Sequence, residues 1–500
     1  MHIQATDKHS KGLYIKKEEY WYMRRYTKIV ATIGPASDTR KSIKRLYDAG
    51  MDVARLNFSH GSHEYFEEVI KRIRSVSTSI AILLDSKGPE IRVGQIRQDA
   101  CILSKNKELI LTKENIIGDS QRVPVRYPYL DSIKAGSKIF LDDGFIELKV
   151  KRKEKGQLIT KVIDGGLLRS RKTVSIRGHS IRLPFISKDD RKDIEFGIRH
   201  NVDFIAASFV RKQQDIKQLS KMLEKRRSYI KIISKIEHWQ AMENIDEIID
   251  ASWGIMIARG DLGVEVPLEK VPRYQDEIIQ KCKRKGKPTI VATQMLESMK
   301  QSPRPTRAEV SDVAQAIIQG ADALMLSAET TIGKYPSQAV AMMNTIAKEY
   351  DPYVKEDLVH YTKKDFSKGR FPVSMNVTNA AYQAARSLPI KLIITPTETG
   401  STARNVSRFK PKTPILAITC DDTVHRQLKL SWGVTALLES SRYSCAKTYI
   451  ASVLKAMVKR KEIKAKDLIV LTSGSKLHMP GSTNVLEIHE VKELIAEAAR

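Results

Sequence analysis

From residue 27 onward the chain alternates short apolar runs with longer amphipathic stretches. The runs at 28–33, 52–56, 80–84, 203–207, 230–236, 254–258, 288–292 and 322–326 are built mainly from Val, Ile, Leu and Ala. A strand that is apolar on both faces has to be buried on both, as in a parallel sheet covered by helices. Between most of these runs, apolar positions recur at helical spacing, over 39–49, 189–199, 213–225, 268–284 and 309–318. Gly50 follows the first of these stretches and supplies a natural C-cap. Eight buried strands alternating with helices predict an α/β fold of the closed (β/α)8 TIM-barrel type.

The interval between the third and fourth runs is too long for a loop. Within 89–182 the segments 108–111, 138–141, 145–150, 158–162 and 173–176 have β character and are separated by turn signals, which predicts a small all-β domain inserted in the barrel. After about residue 350 a further α/β pattern begins, with helices over 376–388, 402–409 and 444–459 and strands over 392–395, 415–419 and 468–471. The expected organisation is therefore a barrel over 24–88 and 183–350, an inserted β domain over 89–182, and a C-terminal open-sheet α/β domain over 351–500. Residues 1–23 form an N-terminal extension without clear periodicity, and Met23 just before the first strand makes an alternative translation start a second reading.

Composition narrows the class. Hydrophobic residues at 41% and charged residues at 29% fit a globular protein with a sizeable core. No apolar run is long enough to span a membrane, and the N-terminus lacks a secretory apolar core. Cys101, Cys282, Cys420 and Cys445 lie far apart without metal-ligand spacing, which points to free thiols in a reducing cytoplasm. The net charge of +28 raises the question of nucleic acid. Its clusters, at 151–153, 225–227, 281–287 and 459–461, lack the interleaved aromatics of a stacking platform, so solvated faces are the favoured reading.

Barrel active sites lie at the C-terminal ends of the strands. Those ends carry Arg55, Asn57, Ser59 and His60, then Asp85, Ser86 and Lys87, then Ser208 and Arg211. Lys235 and Glu237, Arg259-Gly260-Asp261, Thr293, and Ser327 with Glu329 complete the ring. Glu237 and Asp261 follow adjacent strands and suit Mg²⁺ or Mn²⁺, with substrate and water supplying further oxygens; ordinary barrel salt bridges are the plainer alternative. Lys235 faces the same side as Glu237 and can stabilise negative charge in transfer, or merely pair with a carboxylate. The turn at 259–263 offers backbone amides to a carboxylate or phosphate. Asn57, Ser59, Asp85 and Ser86 present only hard oxygens, either as an alkali-cation cage or as a hydrogen-bond cluster. No Walker A motif or dinucleotide fingerprint follows a strand, so a nucleotide would bind in another mode.

The motifs at these ends resemble the pyruvate kinase family. They are Thr27-Lys28-Ile29-Val30-Ala31-Thr32-Ile33-Gly34-Pro35-Ala36-Ser37, Ala54-Arg55-Leu56-Asn57-Phe58-Ser59-His60-Gly61, Asp85-Ser86-Lys87-Gly88-Pro89-Glu90-Ile91-Arg92 and Ile233-Ser234-Lys235-Ile236-Glu237. Further on come Ala258-Arg259-Gly260-Asp261-Leu262-Gly263, Ala292-Thr293-Gln294-Met295-Leu296-Glu297 and Pro303-Arg304-Pro305-Thr306-Arg307. The resemblance runs in order from about residue 24 to 500.

It implies a phosphotransferase that moves the phosphoryl group of phosphoenolpyruvate to ADP, giving pyruvate and ATP. Lys235 would stabilise the phosphoryl group in flight, and Arg55 would contact it. Glu237 and Asp261 would ligate Mg²⁺, while Gly260, Thr293 and Ser208 would line the substrate, with Thr293 placed where the enolate is protonated. Asn57, Ser59, Asp85 and Ser86 would hold K⁺, and Glu90 matches the residue type of K⁺-dependent members. Pro35, Asn57, His60, Tyr65 and Arg92 would hold the nucleotide, and the inserted β-barrel domain would act as a lid, with Asp142-Asp143-Gly144 facing the cleft. Thr397, Thr399, Gly400, Ser401 and Thr402 would cradle the phosphate of an allosteric effector, with a strand–turn–helix capped by hydroxyls as the alternative. Pro480-Gly481-Ser482-Thr483-Asn484 resembles a family loop near that region. A cytoplasmic homotetramer is implied, with no membrane contact and no extra phosphotransfer domain.

The chain departs from the family pattern in three places. Asp189 of Lys188-Asp189-Asp190 stands where a nucleotide-contacting lysine is usual, Trp253 where aspartate is common, and Ala328 where glycine is frequent. Two other functions share part of the pattern: a Mg²⁺-dependent aldolase or lyase acting on a pyruvate enolate, and a basic nucleic-acid-binding protein with a vestigial site.

Overall fold

The fold is that of a computed structural model, in which residues 25–355, 373–439, 446–474 and 483–498 are described. The N-terminal extension expected over 1–23 and the loop residues Pro480, Gly481 and Ser482 lie outside them. Two compact units result, one over 29–346 and the other joining 25–28 to the residues from 347 onward.

In the first unit eight parallel strands close a barrel in chain order. They are β1 (Lys28–Thr32), β2 (Val53–Asn57), β3 (Ala81–Asp85), β4 (Phe204–Ala207), β5 (Lys231–Ile236), β6 (Gly254–Ala258), β7 (Thr289–Ala292) and β8 (Ala323–Leu326). All eight coincide with the apolar runs. Three of their lower ends share one device. Asp52, Asp203 and Asp322, each just before a strand, accept Ile29, Ile82 and Thr289 N–H from the preceding strand at 2.8–2.9 Å. Before β6 stands Trp253. Its amide donates to Ile232 O at 3.0 Å and its ring packs 5.2 Å from Phe204, so an aromatic contact occupies the place of the carboxylate.

The helices are capped as their sequences require. Thr39, Ser187 and Thr306 each close a capping box on the third helical residue, and Gly50 ends the first helix at φ 120°. A helix over His63–Val76 and a broken pair, Trp239–Glu243 and Ile245–Ala251, fill intervals in which the sequence pattern named no helix.

Between β3 and β4 the insert is all β. A six-stranded sheet runs in the order Val174–Ile176, Lys138–Leu141, Ile146–Glu154, Gln157–Asp164, Glu108–Thr112, Arg122–Pro124, beside a two-stranded pair of Ala100–Leu103 with Gly166–Arg169. Its own core holds Val93, Leu109, Leu111, Ile139, Leu148 and Leu158.

The second unit has a five-stranded sheet ordered Val434–Leu438, Ile415–Thr419, Ile390–Pro396, Leu468–Gly474, Thr483–Glu490. Only the last strand is antiparallel to its neighbour. Residues 25–28 are tied into this unit: Gly433 N–H donates to Tyr26 O at 3.0 Å, and the Tyr26 and Trp432 rings lie 4.6 Å apart.

Candidate functional site

β5 ends in the sequence Ser234-Lys235-Ile236-Glu237, and alternation turns Lys235 and Glu237 to the same side of the strand. Both are buried. The Lys235 ammonium lies 2.8 Å from Glu237 Oε1, 3.0 Å from Asp85 Oδ1 and 2.7 Å from Ser208 Oγ. Burial alone would lower its pKa, but Asp85 and Glu237 outweigh that and raise it, so the cation is held charged. Asp85, at the end of β3, is 1% exposed. Its Oδ2 accepts Arg55 Nε at 2.7 Å, and Arg55 also donates to Thr32 Oγ1 at 2.9 Å. Burial pushes the Asp85 carboxyl up; Lys235 and Arg55 overcome it and hold the group below the usual range.

Ser208 follows β4. It accepts from Lys235 and donates to Ser86 O at 2.7 Å, which locks the ends of β3, β4 and β5 together. Ser86 Oγ donates to Ala206 O at 3.3 Å and accepts Ser208 N–H at 3.2 Å. Phe209, at φ 55°, presents its amide to Glu237 Oε2 at 2.6 Å. A bulky residue in the left-handed region is strained, and here the strain aims a donor at a buried carboxylate. Sequence reading missed this donor because nothing in a Ser-Phe-Val run marks a positive φ.

Past the end of the adjacent strand β6, Asp261 is half-buried in the helix Arg259–Glu265. Desolvation, then the nearby Glu237 charge, push its pKa up to about 8. Asp143 of the insert adds to that push, which brings the Asp142-Asp143-Gly144 turn within electrostatic reach of the site. The segment expected as an open turn with free amides is instead the first turn of this helix, and the Gly260 amide is already engaged by Thr293 Oγ1 at 2.8 Å. Thr293 follows β7 at φ 70°, donates to Ala292 O at 2.5 Å, and is held by Arg259, whose Nη2 bonds Thr293 O at 2.8 Å.

The remaining predicted residues are held by local contacts. Asn57 Oδ1 accepts Ser59 N–H at 3.2 Å, and His60 N–H donates to Asn57 O at 3.1 Å. Pro35 and His60 are exposed. Tyr65 donates to Asp38 Oδ2 at 3.0 Å, and burial together with that bond pushes its phenol up to about 12. Arg92 donates to Glu90 at 2.7 Å, and Glu90 is raised, chiefly by burial. Asp189, in its departure from the pattern, pairs with Lys192 at 3.3 Å on an exposed helix face.

In the second unit, Gly400, at φ 73°, caps the short helix Ser401–Ser407. The hydroxyls there bond one another: Thr399 to Ser401 at 3.1 Å, and Thr402 to Thr483 at 2.6 Å. Thr397 donates its amide to Ile418 O at 2.8 Å, and the half-buried Arg404 reaches back to Thr399 O at 3.0 Å.

Among the described residues no three His, Cys, Asp or Glu side chains converge as a metal cluster, and no helix is long and apolar enough to cross a membrane. The site instead offers two carboxylates, Glu237 and Asp261, on adjacent strand ends.

Two family models match the chain: the pyruvate kinase barrel domain over residues 24–340 and the pyruvate kinase alpha/beta domain over 375–489. The chain is 42% identical over 484 residues to a pyruvate kinase of Geobacillus stearothermophilus, which covers 95% of this chain and 82% of that protein. It is 43% identical over 485 residues to a pyruvate kinase of Bacillus licheniformis, with the same two coverages. Among solved structures it is similar to a pyruvate kinase from Cryptosporidium parvum, with a TM-score of 0.87 and 34% identity over 95% of this chain and 98% of that one.

Proposed function

The chain belongs to the pyruvate kinase family, and on that premise we propose how its barrel mouth moves the phosphoryl group of phosphoenolpyruvate to ADP. The observation that carries the reading is the Lys235 ammonium, buried, kept charged and anchored by Asp85, Glu237 and Ser208. Phosphoryl transfer needs positioning and charge neutralisation more than covalent chemistry. Lys235 and Arg55 are the two fixed cations of the site, and both are pre-oriented by Asp85. Neither the aldolase or lyase reading nor the nucleic-acid reading finds support in the relatives.

The donor set fits a divalent cation. Glu237 and Asp261 are hard oxygen ligands; burial first and the Glu237 charge second push the Asp261 carboxyl up, and a bound cation would relieve that repulsion. Bound there, Mg²⁺ or Mn²⁺ would offset the negative charge of the two anionic substrates. Asn57, Ser59, Asp85 and Ser86 supply amide, hydroxyl and carboxylate oxygens suited to K⁺. Gly260 and Thr293 would position the substrate. The Thr293 hydroxyl proton points at Ala292 O, so the proton delivered to the enolate carbon would travel through a water relay. Pro35, Asn57, His60, Tyr65 and Arg92 would receive the nucleotide, and Asp142-Asp143-Gly144 would face the cleft from the lid. A phosphorylated effector would engage the hydroxyls from Thr397 to Thr402, backed by Arg404. A cytoplasmic homotetramer is the assembly that the family suggests.

Replacing Lys235 by Met removes the cation and leaves Asp85 and Glu237 to repel. We expect kcat for pyruvate release to fall about 10²–10³-fold, the scale seen when one transition-state donor is lost. Steady-state kinetics on Lys235→Met decide this; a kcat within about tenfold of wild type would remove Lys235 from the transfer step.

A further inference from the structure

The helix Arg259–Glu265 has only seven residues, and its C-terminal carbonyls lack partners within the helix. Its first turn carries Gly260 and Asp261. Its last turn meets the β insert. The insert strand Val174–Ile176 buries Val174 and Ile176, so Ser175 and Arg177 turn to the opposite face. From that face Ser175 Oγ donates to Glu265. Arg177 Nη2 donates to Val264 O at 2.9 Å and to Val266 O at 3.3 Å, and its Nε reaches Val264 O at 3.3 Å. The guanidinium rests 4.5 Å from the centre of the Phe140 ring, and Phe140 is the register partner of Ser175 in the insert sheet. At Gly144, with φ 93°, an added Cβ would lie 3.3 Å from Val264 Cγ2, so the insert turn touches the same end of the helix.

We propose that Arg177 is a positioning residue that couples the docking of the β insert to the order of the helix that presents Gly260 and Asp261. A cation at a helix C-terminus complements both the free carbonyls and the helix dipole. When the insert is docked, the guanidinium closes one end of the helix and fixes the axis along which its other end meets substrate. When the insert swings away, Val264 O and Val266 O lose their donors and the helix its C-terminal cap. Ser175 and Phe140 hold the arginine on the insert side of this joint. The proposal rests on the reading of Gly260 and Asp261 as substrate-side groups.

The test uses the full chain with Arg177→Met, which keeps the packing on Phe140 and removes every donor, and Arg177→Lys, which keeps the charge and one contact. Loss of the charge-assisted bonds is expected to lower kcat/KM for phosphoenolpyruvate about tenfold in Arg177→Met, mostly through kcat, with Arg177→Lys in between. Hydrogen exchange over 259–266 is expected to quicken in Arg177→Met while the insert strand Glu108–Thr112 keeps its protection. A purely structural arm would instead loosen the insert sheet and leave kcat alone. A kcat/KM within about twofold of wild type, or unchanged exchange over 259–266, overturns the coupling. Should the wild-type protein fail to turn over phosphoenolpyruvate and ADP, the functional reading falls, and the exchange measurement still decides the role of Arg177.

Discussion

At the scale of residues, the site is a contest between burial and charge pairing. Lys235 and Asp85 are both buried, yet each is driven toward its charged form by the other and by neighbours already in place. Asp261 has no such cationic excess and is pushed the other way, to about 8. A histidine away from the site shows the cost of burial on its own. His425 Nε2 donates to Ala436 O at 3.1 Å, and burial first, then Lys429 and Arg426, lower its pKa to about 3. Unfolded, histidine takes its proton near 6.5, so between pH 6.5 and 3 the unfolded chain binds more protons and stability falls as pH falls. At pH 5.5 this one group should cost the second unit on the order of 1 kcal/mol relative to pH 7.5. Urea midpoints of wild type and His425→Gln at the two pH values check it: the wild type should lose more, and equal losses would assign the effect elsewhere. The residues of the barrel mouth were legible in the sequence because strand ends are fixed by the apolar runs, and charge at such ends needs a reason. Phe209 and Arg177 were not legible. Their roles depend on a backbone φ and on a carbonyl across a joint, and neither leaves a mark in composition.

At the scale of elements, continuous apolar runs gave β1 to β8 within a residue or two. Buried parallel strands carry the strongest pattern, because both faces must be apolar. The hairpin strand Ile146–Glu154 runs four residues past the expected end at 150, since Lys151, Arg152, Lys153 and Glu154 are exposed and carry no apolar alternation. The strand Val434–Leu438 and the edge strand Thr483–Glu490 escaped the sequence pattern. The second of these has only one fully buried residue, Thr483, so it offered little period to read. Capping was clearer. Thr306 bonds Glu309 N–H at 3.2 Å, while Glu309 accepts Thr306 N–H at 2.8 Å and Ser298 N–H at 2.7 Å, so one box caps a helix and pins the loop after β7. Thr306→Ala should cost about 1 kcal/mol of stability. Thermal unfolding followed by far-UV dichroism measures it, and an unchanged midpoint would show that Glu309 holds the loop without the box.

At the scale of the whole molecule, the charge of +28 is the excess left after every carboxylate is counted, and several residues of the basic clusters still pair with acidic neighbours. Lys151 and Arg152 lean on Glu108, Arg226 on Glu195, Lys281 on Asp246 and Glu277, and Lys285 on Asp250. At least one residue of each basic cluster thus has an acidic neighbour, Arg460 having Glu462 at 4.0 Å, and the excess charge would favour approach of anionic substrates. The insert and the barrel that it interrupts were legible as a change of period, from strand-and-helix alternation to short β segments. The joint between them, where Ser175 and Arg177 grip the helix of Asp261, rests on two side chains that leave no period in the sequence. The claim that gathers these observations is that this barrel mouth transfers a phosphoryl group from phosphoenolpyruvate to ADP. Pyruvate release coupled to NADH oxidation by lactate dehydrogenase tests it most directly, with Mg²⁺ present or chelated and K⁺ present or replaced by Na⁺. The account predicts ADP-dependent turnover that requires Mg²⁺ and is strongest in K⁺; no turnover with both ions and both substrates supplied would contradict it.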